Sequence, residues 1–384
     1  MPGKVKKGQQ TTRKLLALDG GGIRGVMTLE VLAKIEEELQ QKLGRTNKFV
    51  LSDYFDYIAG TSTGAIIATC LSLGMRVDDI RKFYIDSGPA MFDKTNLLRR
   101  YFRNKFSDQK LSKKLQNVIA QQSGEAMATL GSKALKTYLM LVLRNATTDS
   151  PWPVSNNPEA KYNDTTRPDC NLNLPLWQLV RASTAAPTYF PPEVITFKGK
   201  DKQDYEFIFV DGGVTMYNNP AFQLFLMATL GPYKIGWPTG EDKMLLVSVG
   251  TGTAADANKN LTPEQMNIIY NASSLPSAFM FAASNEQDFL CRAFGKCLQG
   301  GQLDREVWDM KEENGQGPVN PKLFTYMRYN ADLSREGLDA LGLPGIEPRN
   351  VQQMDSVAHI PELQEVGRAV AKQVNIEHFN GFLQ

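Results

Sequence analysis

Ser62 lies between two glycines in Gly60-Thr61-Ser62-Thr63-Gly64, on a turn that joins an apolar strand-like run, 55–60, to an apolar helix-like run, 65–74. Gly60 and Gly64 permit the sharp turn on which a nucleophilic hydroxyl is presented. Such a hydroxyl attacks only once a base takes its proton. Histidine is the usual base, but the chain has only His359 and His378, both near its C-terminal end and neither in a strand-end loop with glycine or acidic neighbours. A carboxylate is the other option. Asp211 follows the strand-like run 206–210 and precedes Gly212 and Gly213. In a parallel sheet it would share the carboxyl edge with Ser62, and sites form on that edge. Partial burial there would raise its pKa and make it a better base. Asp-Gly after a strand is also an ordinary turn, so Asp211 alone does not settle the assignment.

A second loop, Asp19-Gly20-Gly21-Gly22-Ile23-Arg24-Gly25, follows a short apolar run and opens a helix-like stretch. It contains G-x-G-x-x-G, but a dinucleotide site also needs an acidic residue at the end of the next strand. That strand ends in Ala59-Gly60, and Asp53 and Asp56 come too early. The loop reads instead as an oxyanion hole. The N–H groups of Gly20, Gly21 and Gly22 at a helix N-terminus can face developing negative charge. The N–H of Thr63, the residue after the serine, would be a further donor. Arg24 either adds positive charge or pairs with an acidic side chain to fix the loop.

The elements that must position these residues follow from the pattern. Strand, glycine turn, helix, strand, glycine turn, helix opens the chain, which predicts an α/β fold with a parallel sheet covered by helices on both faces. Helices are expected over 77–120 and 174–187. Strands are expected over 137–148, 206–214, 243–252 and 322–330, and an exposed polar loop over 155–173. Residues 1–12 read as a disordered tail and 13–384 as one domain, with a helical C-terminal elaboration from about 256. The 384 residues are 42% hydrophobic and 22% charged with a net charge of +2. This is ample core for a large domain and excludes a globally basic DNA- or RNA-binding protein. No apolar run reaches bilayer length, and the run 15–18 is too short for a signal-peptide core. Four cysteines without a C-x-x-C pair fit a reduced, cytoplasmic protein. No carboxylate–histidine cluster suggests a metal.

Together these motifs resemble the patatin-like phospholipases, whose pattern is D-G-G-G-x-R-G, G-x-S-x-G and D-G-[GA], in that order. The chain has them at 19–25, 60–64 and 211–213, with the family-like stretches 182–192, 218–221 and 247–252 around them. The resemblance covers roughly 13–255 and is less sharp beyond. It implies a three-layer α/β/α fold with a mainly parallel central sheet. It also implies a phospholipase A type hydrolase in which Ser62 is the nucleophile, Asp211 the base and Gly20 to Gly22 the oxyanion hole, with no cofactor or metal. The compact chain and long C-terminal segment also look like bacterial antiphage effectors of this family. That likeness implies a cyclic oligonucleotide activator, a homo-oligomeric active form, and peripheral association of a cytoplasmic protein with the inner membrane face. A constitutive lipid esterase and a non-catalytic storage or binding protein are the alternatives on the same scaffold, and a dinucleotide-binding oxidoreductase is the rival of different chemistry.

Two further segments bear on partners. The stretch 96–106 interleaves Arg99, Arg100, Arg103 and Lys105 with apolar and aromatic residues. It reads as an amphipathic helix with a solvated basic face, or as a surface for lipid headgroups or a nucleotide. The stretch 274–284, with Phe279, Met280 and Phe281 after a proline-containing turn, reads as core, or as a lid or membrane-contact segment.

Overall fold

Strand β1 (Arg13–Leu18) has no polar face: Leu15 to Leu18 are all sealed from solvent. The same holds for β2 (Tyr57–Thr61) and β7 (Met244–Val249). Strands buried on both sides belong to a sheet covered twice, and the side-chain alternation separates the two covers. Leu16, Leu18, Ile58, Leu139, Leu141 and Val247 face one core, whereas Leu15, Ala17, Tyr57, Ala59, Met140 and Leu246 face the other. The computed structural model, which describes residues 12–46, 48–92, 106–187, 189–199, 203–253, 262–263, 268–311 and 317–383, is thus a three-layer α/β/α fold.

On the first face pack α1 (Gly25–Lys42), α2 (Thr63–Ser72), α3 (Val77–Phe92), α4 (Phe106–Ser123) and α5 (Leu176–Ser183). On the second pack α6 (Ala221–Thr229) and the C-terminal part of α7 (Ile268–Phe294). The remaining strands are β3 (Tyr138–Asn145), β4 (Ser150–Ser155), β5 (Glu193–Lys198), β6 (Asp204–Asp211), β8 (Lys296–Gln299) and β9 (Thr325–Tyr329). Paired neighbours run β5-β6-β3-β2-β1-β7-β9-β8, and β4 also pairs with β3. From β3 to β8 every pairing on this path is parallel, and β4, β5 and β6 are antiparallel additions. After β9 come α8 (Arg335–Ala340), α9 (Pro348–Gln352) and α10 (Ile360–Ala371), the last lying along α1.

Register corrects one expectation. Val142 of β3 pairs with Thr61 on one side and Pro153 on the other, whereas Leu143 pairs with Asp211 and Trp152. Both Pro153 and Trp152 belong to β4, so β2 and β6 share the opposite side of β3 and meet there end to end. Asp211 therefore does not reach the site as the carboxyl end of a parallel strand. It arrives from the opposite direction, on a strand antiparallel to β3.

Other differences have local reasons. β4 carries Pro151 and Pro153, which argue against a strand, but β4 pairs only with β3 and is an edge, where proline is tolerated. The loop 155–173 is irregular as expected, yet Asn157 and Asn163 are buried in it. The Asn163 amide donates to the carbonyls of Ser155 (2.7 Å) and Asn157 (2.6 Å) in place of a ladder. Pro276 lies inside α7 rather than in a turn. The segment after 256 supplies two strands, β8 and β9, as well as helices. The basic stretch 96–106 and the tail fall outside the described residues, apart from Thr12 and Phe106. Among the described residues no helix is long and apolar enough to cross a membrane.

Candidate active site

Where β2 meets β6, both chains must turn aside. Ser62 does so with φ 54° and ψ −121°, a conformation that L residues avoid and that costs on the order of 1–3 kcal/mol. The turn is tight enough that a Cβ on Gly60 would lie 2.0 Å from the Gly64 carbonyl, and one on Gly64 2.2 Å from that of Leu18. Both glycines are therefore required for packing. On the other strand a Cβ on Gly212 would stand 2.2 Å from the Val142 carbonyl. Ser183, at the end of α5, secures the junction: its Oγ donates to the Val142 carbonyl (2.6 Å) and accepts from the Ser62 N–H (2.9 Å).

The two side chains then meet. The Ser62 hydroxyl donates to Asp211 Oδ2 at 2.6 Å, and the Gly213 N–H donates to Oδ1 at 2.6 Å. Asp211 is buried, and burial lifts its pKa to about 6, against the opposing pull of the Ser62 and Gly213 hydrogen bonds. Neither histidine takes part. His359 contacts Glu362 at 3.1 Å, and His378 lies in the C-terminal 3₁₀ turn, its pKa lowered by burial.

The glycine loop lies against this pair: a Cβ on Gly20 would be 3.2 Å from Ser62 Cβ. Gly20 is not available as an oxyanion donor, because its N–H is committed to the Asn218 carbonyl at 3.1 Å. Gly21, Gly22 and Thr63 differ, their N–H groups having no acceptor among the described residues. Thr251 Oγ1 holds the Gly20 carbonyl (2.8 Å), and Arg24 Nε holds that of Gly21 (3.4 Å). In a trans peptide the carbonyl and the next N–H point oppositely, so these contacts turn the N–H groups of Gly21 and Gly22 away from Thr251 and Arg24. Arg24 also donates to the Gln352 carbonyl at 3.2 Å, and burial lowers its pKa to about 10. Its hydrogen bonds fix the loop through two carbonyls, and the nearby Asp19 carboxylate opposes the burial shift without bonding to it. Thr63 Oγ1 and Tyr84 on α3 both hold the Gly22 carbonyl, at 2.7 and 2.5 Å, tying the serine turn to the loop.

Several of these positions escaped the sequence reading. Ser183, Asn218 and Thr251 lie in the family-like stretches 182–192, 218–221 and 247–252 but were given no role there, and Tyr84 is a polar residue inside a run read only as helix. Arg328 is more telling. It is a guanidinium on the buried strand β9, and it grips Asp19 at the head of the glycine loop through both nitrogens (2.8 and 2.5 Å). Burial opposes its charge, but the Asp19 carboxylate holds its pKa above the ordinary range. Among the described residues no three His, Cys, Asp or Glu side chains gather as a metal cluster would.

A family model described as patatin-like phospholipase matches residues 16–225. The chain is 27% identical over 332 residues to "Patatin-T5" of Solanum tuberosum, covering 79% of this chain and 80% of that one. It is equally 27% identical to "Probable inactive patatin-3-Kuras 1" of the same plant, covering 65% of each. Among solved structures, VipD from Legionella pneumophila aligns at 14% identity and a TM-score of 0.37, over 92% of this chain and 67% of that one. The chain belongs to the patatin-like phospholipase family.

Proposed function

We propose that this protein is a phospholipase A type lipid acyl hydrolase working through a Ser62–Asp211 dyad. The observation that carries this reading is the 2.6 Å hydrogen bond from the Ser62 hydroxyl to a buried carboxylate, with neither histidine bonded to the serine. A relative named inactive makes family membership insufficient, so the argument rests on the side chains present. Ser62 Oγ attacks the ester carbonyl carbon as Asp211 takes its proton. The oxyanion faces the N–H groups of Gly21, Gly22 and Thr63. Collapse expels the lysolipid alkoxide, which takes the proton from Asp211 and leaves acyl-Ser62. Water, deprotonated by Asp211, releases the fatty acid and restores the serine.

Access to lipid is supported by the surroundings of the site. Phe279 on α7 is 69% exposed, and Met216, just past the Asp211 turn, is 52% exposed. Met280 Cε lies 3.7 Å from where a Gly213 Cβ would be, which brings α7 to the site. Exposed apolar groups beside a reactive serine suit an enzyme that rests on a membrane while it draws in an acyl chain. Activation by a cyclic oligonucleotide, with assembly into an oligomer, remains the finer part of the proposal, and its motivation is the basic and aromatic stretch 96–106.

The test is fatty-acid release from a fluorogenic phospholipid by wild type, Ser62→Ala and Asp211→Asn, with and without cyclic oligonucleotides, alongside light scattering. Loss in both variants supports the dyad, whereas full activity in a folded Asp211→Asn variant rejects it. Activity and assembly that appear only with nucleotide make the protein a switched effector, and constitutive activity of a monomer removes that part.

A further inference from the structure

Asn218 occupies an unusual place. It is 93% buried (7% exposed), and its main-chain carbonyl anchors the Gly20 N–H. Its side-chain Nδ2 donates to Ser284 Oγ on α7 at 3.2 Å. The amide oxygen Oδ1 has no hydrogen-bond partner among the described residues. A buried acceptor left unpaired costs about 1–3 kcal/mol, so one kept inside a site calls for a ligand. Oδ1 sits among the catalytic groups. It is 2.5 Å from the place of a Gly20 Cβ, which itself would be 3.2 Å from Ser62 Cβ. It is also 3.0 Å from the place of a Gly213 Cβ, and Asp211 Oδ1 is 3.0 Å from that same place. The missing side chain of Gly213 thus leaves Asn218 Oδ1 and the Asp211 carboxylate, whose Oδ1 already accepts from the Gly213 N–H, facing one point, with Met280 Cε 3.7 Å from it.

The chemistry of the second half-reaction needs such a pair. Once Ser62 is acylated its hydroxyl proton is gone, and Asp211 Oδ2 has lost its donor. The attacking water has two O–H bonds. One proton passes to Asp211 as the water oxygen bonds to the acyl carbon, and the other must be held so that the lone pair points at that carbon. We propose that Asn218 Oδ1 accepts this second O–H and so positions the hydrolytic water, with Ser284 fixing the orientation of the amide. Collapse then breaks the bond to Ser62 Oγ, which recovers the proton from Asp211, and the fatty acid departs. This assignment rests on the dyad reading above.

A small alcohol separates the roles. Methanol attacking acyl-Ser62 has one O–H, which goes to Asp211, and has nothing to offer Asn218. With a p-nitrophenyl ester as substrate, Asn218→Ala should form acyl-Ser62 at close to the wild-type rate and hydrolyse it about 10- to 100-fold more slowly. The adduct should accumulate by intact-protein mass spectrometry, and the product ratio should shift from free acid toward methyl ester. Ser284→Ala, which leaves Oδ1 in place but unfixed, should shift the ratio the same way by less. If acylation, hydrolysis and methanolysis fall together, Asn218 supports the site as scaffold or donates to the oxyanion, and the assignment is overturned. Hydrolysis that persists in a folded Ser62→Ala variant would instead overturn the serine mechanism, a different failure with a different signature.

Discussion

At the scale of single residues, Asp211 links activity to stability. Its pKa is raised by burial to about 6, above its ordinary value of 3.8. The stabilisation this group provides is complete below pH 4. It is lost as pH rises through about 6, by on the order of 3 kcal/mol. In the proposed dyad activity has the opposite sign, because only the ionised carboxylate can accept the serine proton. The profile of kcat/KM should therefore rise through about pH 6. Asp211→Asn, whose amide oxygen can still accept from the Gly213 N–H and whose NH2 would donate to Ser62 Oγ, does not ionise, and it should unfold at higher denaturant than wild type at pH 8 and not at pH 4. Ser62 holds a second such tension. Its φ of 54° is one that glycine adopts freely. Ser62→Gly and Ser62→Ala should both be inactive, with the glycine variant the more stable by about 1 kcal/mol in urea titration.

At the scale of elements, the site depends on how two strands end. β2 stops opposite Val142 and β6 opposite Leu143, and Ser183 occupies the junction. Ser183→Ala should cost about 1–3 kcal/mol in chemical denaturation, by leaving buried groups unpaired. It should also lower kcat more than it raises KM. Much of this level is legible in the residues. β1, α1, β2 and α2 announce themselves by period and by glycine punctuation, and Ser62, Asp211 and the glycine loop by their place at strand ends. The direction of β6 is not legible, because an apolar run ending in Asp-Gly looks the same whichever way it enters a sheet. Nor are β4, whose prolines only an edge excuses, and β8, which is four residues long. Gly20 fits a donor loop by type, but Asn218 had to be seen beside it to show its N–H already taken. Arg328 had a signal: it is the one charge in the run 323–329, between Met327 and Tyr329, and a cation buried there must have a partner.

At the scale of the whole molecule, the proposed lipid contact through the exposed Phe279 and Met216 can be separated from the chemistry. Phe279→Ser and Met216→Ser should weaken sedimentation with phospholipid vesicles and lower hydrolysis there several-fold, while leaving turnover of a soluble short-chain ester unchanged. Equal losses on both substrates would mean that these side chains shape the acyl site instead.

The grip of Arg328 on Asp19 reaches from the last strand of the sheet to the first loop of the chain. The family-matched segment, 16–225, ends well before that arginine. A polypeptide shortened to 12–253 would keep every recognisable motif, yet hold a carboxylate in the core without its counter-charge, a defect of about 3–5 kcal/mol. Such a fragment should be inert and poorly soluble. Adding 262–383 as a separate polypeptide should restore activity by complementation, with the half that holds the proposed dyad revived by a half that holds neither Ser62 nor Asp211.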